Sequence, residues 1–250
     1  MRNFGLTCLA LVIILGFGFL IAEAKVTTFT IAGSTSVQPI IEMLAQEYMA
    51  QHSQIRINVQ GGGSSAGVKA AATGTAEIGM ASRQLHPEEK GLWEFTLAYD
   101  GIAVIVHPTN PITNLTTEQI HDIFSGAITD WSQVGGKPGP INVITREEGS
   151  GTRAAFEELV LKKKPIVAKA IVQGSTGAVK ATIAHDPSSI GYISLAAADQ
   201  TIKILKDDIK RPFLLLCTAR PTGAVANFIE WLRTSEAMDI ITAEGLVPVK

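Results

Sequence analysis

Three times in this chain a run of β-branched and apolar residues ends in a Gly/Ser/Thr turn that opens a stretch of helical periodicity. The turns are Gly33-Ser34-Thr35-Ser36, Gly61-Gly62-Gly63-Ser64-Ser65 and Gly149-Ser150-Gly151-Thr152. Strand–turn–helix units in series build α/β layers with mainly parallel strands. Their turns collect at the carboxyl ends of the strands, where such sheets bind ligands. Each turn also brings free N–H groups and a hydroxyl to the positive end of a helix. One such turn needs no ligand, because its serine or threonine can simply cap the helix. Three of them, with Arg146 just before the third, point to an oxyanion site, since a guanidinium offers an anion parallel N–H donors.

The remaining elements fit this scheme. Residues 26–32 alternate and read as a strand. Val37, Ile40, Ile41, Leu44, Ala45, Tyr48 and Met49 form one helical face behind Pro39, which suits a first turn. Residues 55–60 and 76–81 read as strands, with a short helix through Ala72 between them. Further along, "GIAVIVHP", "INVIT", "IGYIS" and "PFLLLC" read as strands. Thr116 and Gln119 form a capping box for a helix through Phe124, and helices are expected over residues 154–161 and 224–233.

The N-terminus has a different character. Arg2, an apolar run over residues 6–22 and Ala22-Glu23-Ala24 have the form of a secretory leader with a small-residue cleavage site. The run is short for a membrane span, and Gly16 and Gly18 weaken it as a helix. The processed chain is expected to start at Lys25 and to act outside the cytoplasm. Only Cys217 then remains, which excludes an internal disulfide or a cysteine metal cluster; a buried thiol in a strand is expected. A net charge of -2 gives no electrostatic case for nucleic acid or an acidic membrane surface. No His/Cys metal-ligand spacing occurs, and no cofactor is expected.

Gly63-Ser64-Ser65-Ala66-Gly67 also matches the nucleophile elbow of serine hydrolases, with Ser65 as nucleophile. Such an enzyme needs a histidine base later in the chain. His86, His107, His121 and His185 all sit in turns or beside short polar stretches, and there is no glycine-rich oxyanion loop between the first strands. The elbow is read as an accidental match, and no catalytic residue is assigned.

"IAGSTSVQPI", "GGGSSAGVKA", "IGMASRQL", "DGIAVIVHPTNP", "LTTEQIHDIFSGAITDWSQVGG" and "REEGSGTRAAFEEL" occur in this order and span nearly the whole processed chain. Together they resemble the periplasmic phosphate-binding proteins, the solute-binding components of phosphate ABC importers. The resemblance implies a type II two-lobed α/β fold with a ligand cleft between lobes. Two crossovers, near residues 101–107 and 211–218, would form the hinge. It places residues 25–104 with 216–250 in lobe one and residues 105–215 in lobe two, behind a leader of residues 1–24. It further implies a monomer that binds inorganic phosphate without chemistry and delivers it to membrane permease subunits. Sulfate, molybdate and tungstate are the alternative ligands.

Site residues follow from the same motifs. Thr35 and Ser36 match the first-turn contacts, with Ser36 acting through its backbone N–H. Ser64 matches the second-turn hydroxyl, Arg146 the cleft arginine, and Ser150, Gly151 and Thr152 the third turn. Glu148 stands where some relatives place an aspartate that pairs with that arginine. One position departs: the family's Ala-Ser-Asp is here Ala81-Ser82-Arg83, so the carboxylate that accepts the proton of phosphate is missing. Arg83 is retained as a site residue, and Asp100, partnered by Arg83 if it is structural, is nominated as the replacement acceptor. N-terminal mass analysis of the exported protein is expected to show a chain beginning at Lys25; a full-length membrane-embedded product would contradict the leader.

Overall fold

A computed structural model describes residues 26–249, so the leader and the cleavage point at Lys25 lie outside the described residues. The chain runs β1 (Thr27–Gly33), α1 (Gln38–Gln51), β2 (Ile55–Gly61), α2 (Ser64–Thr73), β3 (Ile78–Ala81) and β4 (Trp93–Val106). It continues through α3 (Thr117–Ser125), β5 (Asn142–Arg146), α4 (Gly151–Leu159), β6 (Ile171–Gln173), α5 (Thr176–His185) and β7 (Ser189–Ser194). It ends with β8 (Lys203–Cys217), α6 (Gly223–Trp231), α7 (Ser235–Ala243) and β9 (Val247–Pro248). The strands form one sheet in the order β2-β1-β3-β8-β4-β7-β5-β6, with β9 paired to β4.

The parallel pairing expected from the strand–turn–helix units holds at the two ends of this sheet, β2-β1-β3 and β7-β5-β6. The middle is antiparallel, because β4 and β8 run the length of both halves beside each other. Both strands are longer than their apolar segments suggest. Each passes from one hydrophobic core into another. Leu97, Ala98, Phe213, Leu215 and Cys217 pack with Phe29, Ile31, Leu44 and Phe228. Ile102, Val104, Val106 and Leu205 pack with Ile120, Phe124, Phe156 and Tyr192. The fold is therefore two-lobed, with the changeover near Asp100–Gly101 on β4 and Lys210–Arg211 on β8. It lies earlier on both strands than the expected boundaries at 104/105 and 215/216: Phe213 and Leu215 belong to the first core, and Ile102 and Val104 to the second. Asp100-Gly101 on β4 and Lys210-Arg211 on β8 interrupt the apolar pattern at the changeover.

Local signals explain most of the elements. α1 buries Ile40, Ile41, Leu44, Ala45 and Tyr48 along one face. α3 starts on the expected capping box: Thr116 Oγ1 accepts from the Gln119 N–H, and the Gln119 side chain accepts from the Thr116 N–H. Cys217 is buried at the end of β8, and burial pushes its thiol up to about 11, so it stays protonated and inert.

α2 lies against β1 and β3 through glycine. Gly33 has φ +141°, open to glycine and strained for other residues, and its Cα faces that of Gly67. A methyl on Gly67 would collide with the Met80 carbonyl and come 2.8 Å from the Ala32 carbonyl oxygen, both rigid backbone. The second glycine of the hydrolase-like pentapeptide is thus a packing residue. Gly67→Ala is expected to lower unfolding free energy by about 1–3 kcal/mol through overpacking, read as a fall in the urea midpoint at unchanged m-value.

Candidate oxyanion site

Four helix N-termini, not three, meet where the two lobes face each other. Ser36 lies in the turn before α1, Ser64 is the first residue of α2, Thr152 lies in the first turn of α4, and Thr176 opens α5. Gly174-Ser175-Thr176-Gly177 has the same form as the other turns. The strand before it, β6, is only three residues long and its Ile171 and Val172 are exposed, so it lacked the apolar run that marked the others.

Their hydroxyls are joined across the two lobes. Ser36 Oγ lies 3.0 Å from Thr152 Oγ1 and 2.9 Å from Thr176 Oγ1. Thr35 Oγ1 accepts from the Thr176 N–H at 3.3 Å. Ser64 Oγ accepts from the Ser82 N–H at 3.0 Å, and Ser34 Oγ donates to Ser82 Oγ at 2.9 Å. Gly151 lets the lobes close on this cluster: a methyl there would collide with Ser64 Oγ and come 2.7 Å from Ser82 Oγ. Ser150 Oγ caps α4 by accepting from the Arg153 N–H. The Ser65 N–H donates to the Gly149 carbonyl at 3.1 Å, a second tie between lobes.

Two buried guanidinium groups end the hydroxyl chain. Arg146 Nη1 donates to Thr176 Oγ1 at 3.2 Å, and Arg211 Nη1 donates to Thr152 Oγ1 at 2.7 Å. The sequence Arg146–Thr176–Ser36–Thr152–Arg211 therefore has four hydrogen bonds. The arginines supply the protons of the outer two. The three hydroxyls carry three protons for the two inner bonds, so one O–H is left without an acceptor within the chain. That O–H is available to a ligand that brings an acceptor. The group that suits it is one with acceptors and no need of donors, which describes an oxyanion.

The arginines are held on their other edges. Arg146 gives Nε and Nη2 to Glu147 at 2.9 and 2.7 Å, and its strand is fixed by Tyr192, whose hydroxyl meets Thr145 at 2.7 Å. The partner expected for Arg146 was Glu148; that side chain is exposed, because the turn after β5 directs Glu147 back along the guanidinium. Arg211 gives Nε and Nη2 to Asp100 Oδ2 at 3.3 and 3.0 Å. Burial lowers the Arg211 pKa from its ordinary value, the Asp100 carboxylate opposes that, and the charge of Arg146 adds to the lowering.

Most of the site residues named from sequence are brought together: Thr35, Ser36, Ser64, Arg146, Ser150, Gly151 and Thr152. Ser36 differs in mode, since its N–H is taken by Ser34 Oγ at 3.3 Å and its hydroxyl faces the cluster. Arg83 and Asp100 stand differently. Arg83 is buried but turned away, bound through both Nη atoms to Glu89 at 2.6 and 2.8 Å, with Nη2 also 3.3 Å from Ser65 Oγ. Asp100 is not paired with Arg83; its carboxylate is occupied by Arg211, by Ser194 Oγ at 2.8 Å and by the Ala196 N–H at 3.4 Å. Arg211 stands between it and the hydroxyl cluster. Arg211 itself was missed, because a Lys-Arg pair at the head of an apolar run carries no sign that the partner of one of them lies 111 residues away.

Ser65 has no base. It is exposed, and its hydroxyl meets Arg83, a permanent cation. Each later histidine is engaged locally: His86 in a capping box with Glu89, His107 with Thr109, His121 with Asp122, and His185 with the Ala181 carbonyl.

Residues 21–236 match the family model described as PBP superfamily domain. The chain is 30% identical over 250 residues to the phosphate-binding protein PstS of Borreliella burgdorferi, covering 88% of this chain and 90% of that one. It superposes with a TM-score of 0.86 on a candidate phosphate ABC transporter substrate-binding protein with bound phosphate from Clostridium perfringens. That match is 37% identical and covers 90% of this chain and all of the other. An ABC-type phosphate transport receptor from Vibrio cholerae is 36% identical, with a TM-score of 0.72 over 88% of this chain and all of that one.

The two adjacent serines of α2 separate binding from catalysis. Ser65→Ala is expected to fold normally and keep nearly full anion affinity. Ser64→Ala is expected to weaken it by roughly 1.5–3 kcal/mol, the contribution of a hydrogen bond to a charged group. Calorimetric titration of both variants decides, and an esterase activity abolished by Ser65→Ala would overturn the assignment.

Proposed function

The chain belongs to the PBP superfamily and, within it, to the PstS phosphate-binding proteins, and on that premise we propose that it binds inorganic phosphate outside the cytoplasmic membrane and delivers it to permease subunits of an ABC importer. It is a binding protein, not an enzyme. The observation that carries the ligand class is the buried hydroxyl chain ended by two guanidinium groups, whose four internal hydrogen bonds leave one O–H unused. A tetrahedral anion supplies acceptors in several directions at once and meets four helix N-termini, each of which favours negative charge.

The working set is Thr35, Ser36 and Ser64 from the first lobe and Arg146, Ser150, Gly151, Thr152 and Thr176 from the second. Because these residues come from both lobes, the bound anion is the bond between them, and closure follows from binding. Arg83 and Asp100 act behind this shell. A leader removed before Lys25 accounts for export, and the monomer is the form that presents both lobes to a permease.

A second reading concerns selectivity. Arg83, Arg146 and Arg211 occupy Glu89, Glu147 and Asp100 respectively. A carboxylate free to accept the proton of phosphate is the device that would reject sulfate. Its place is taken here by paired carboxylates, which favours some acceptance of sulfate or molybdate at the same site.

Calorimetry on the processed chain with phosphate, sulfate and molybdate tests both readings. One-to-one binding with phosphate tightest is expected, and a site that ignores phosphate would refute the assignment. Arg146→Ala is expected to weaken phosphate by about 1.5–3 kcal/mol, more than tenfold in Kd, with Arg146→Lys intermediate because an ammonium cannot reproduce the guanidinium fork.

A further inference from the structure

Arg211 combines three features that a structural ion pair does not need together. It stands at the changeover between the two cores, opposite Asp100 in the β4–β8 register. Its Nε and Nη2 edge is fixed by Asp100, which Ser194 in turn holds, and its guanidinium also lies 5.4 Å from the centre of the Phe213 ring. The remaining nitrogen, Nη1, reaches both lobes at once: the Ser82 carbonyl of the first at 3.2 Å and the Thr152 hydroxyl of the second at 2.7 Å.

We propose that Arg211 is a second anion-holding cation of the site and that, carried on the hinge strand, it couples anion binding to lobe closure. This rests on the anion-binding reading above. A fully buried ion pair is a poor source of stability, since apolar residues of similar volume usually serve as well. This one aims an Nη1 N–H at the end of the hydroxyl chain. Asp100 is then a positioning residue: it offsets part of the cost of burying the charge and fixes the plane of the guanidinium. The division of labour needs arginine. One edge binds the carboxylate while the far nitrogen serves the site, and a lysine ammonium has no second edge. With the anion taking the Nη1 proton now given to Thr152, the Thr152 hydroxyl can turn its own O–H to the same anion. Arg146 from β5 and Arg211 from β8 then grip it from opposite ends of the chain.

The direct test is a crystal structure of the wild-type protein with phosphate. A phosphate oxygen within about 3.2 Å of Arg211 Nη1 is expected. A bound phosphate with no oxygen within about 3.5 Å of that atom overturns the proposal. In solution, Arg211→Lys and Arg211→Gln are compared with wild type by calorimetry, thermal melting and small-angle X-ray scattering. Both variants are expected to lose roughly tenfold or more in phosphate affinity. They are also expected to lose most of the compaction that phosphate induces, a readout that a merely structural loss would not move. Wild-type affinity and compaction in a folded Arg211→Lys would overturn the proposal. If neither variant folds, the wild-type crystal structure decides alone. A wild-type protein that binds no phosphate defeats the functional reading itself, whereas failure confined to Arg211 defeats only this inference.

Discussion

β4 and β8 lie side by side for most of their length, and each contributes side chains to both cores. The rest of the molecule depends on that pairing. Because the connection between lobes is a pair of hydrogen-bonded strands and not a loose linker, the lobes face each other in a fixed register. Shifts of register between Thr96 and Ala98 and between Ile102 and Val104 bracket the changeover at Asp100 and Gly101. Irregularities of this kind bend a strand and increase its twist, which places the bend of the ladder beside the Asp100–Arg211 pair.

The electrostatics follow from the cost of burying charge. Arg83, Arg146 and Arg211 are the buried arginines among the described residues, and each has one carboxylate: Glu89 at 2.6 Å, Glu147 at 2.7 Å and Asp100 at 3.0 Å. An unpaired guanidinium in such surroundings would be strongly destabilising. The pairing removes net charge from the site while leaving N–H groups pointed into it. Attraction for an anion then comes from fixed donors and helix ends at short range, in agreement with a chain whose net charge is -2.

The pentapeptide that resembles a nucleophile elbow owes its letters to packing and helix geometry. Gly63, at φ +86°, turns the chain from β2 into α2, and Gly67 lets that helix sit on β1 and β3. Successive residues of a helix point about 100° apart. Ser64 therefore faces inward to Ser82 while Ser65 faces outward to Arg83.

The sequence alone determined the α/β class, the sites of most turns, the capping box at Thr116, the buried Cys217 and the Gly/Ser/Thr composition of the helix starts that meet between the lobes, because these rest on short-range periodicity and on Gly/Ser/Thr chemistry that acts within a few residues. The family followed from motifs spread along the whole chain. Tertiary structure alone decided the partners. Glu147 over Glu148 is a matter of one turn's direction. Asp100 for Arg211 and Thr176 for Arg146 are pairings between residues distant enough in the chain that no local pattern encodes them. The same holds for the lobe boundary: which core each residue of β4 and β8 enters is set by the sheet that brings the two strands together.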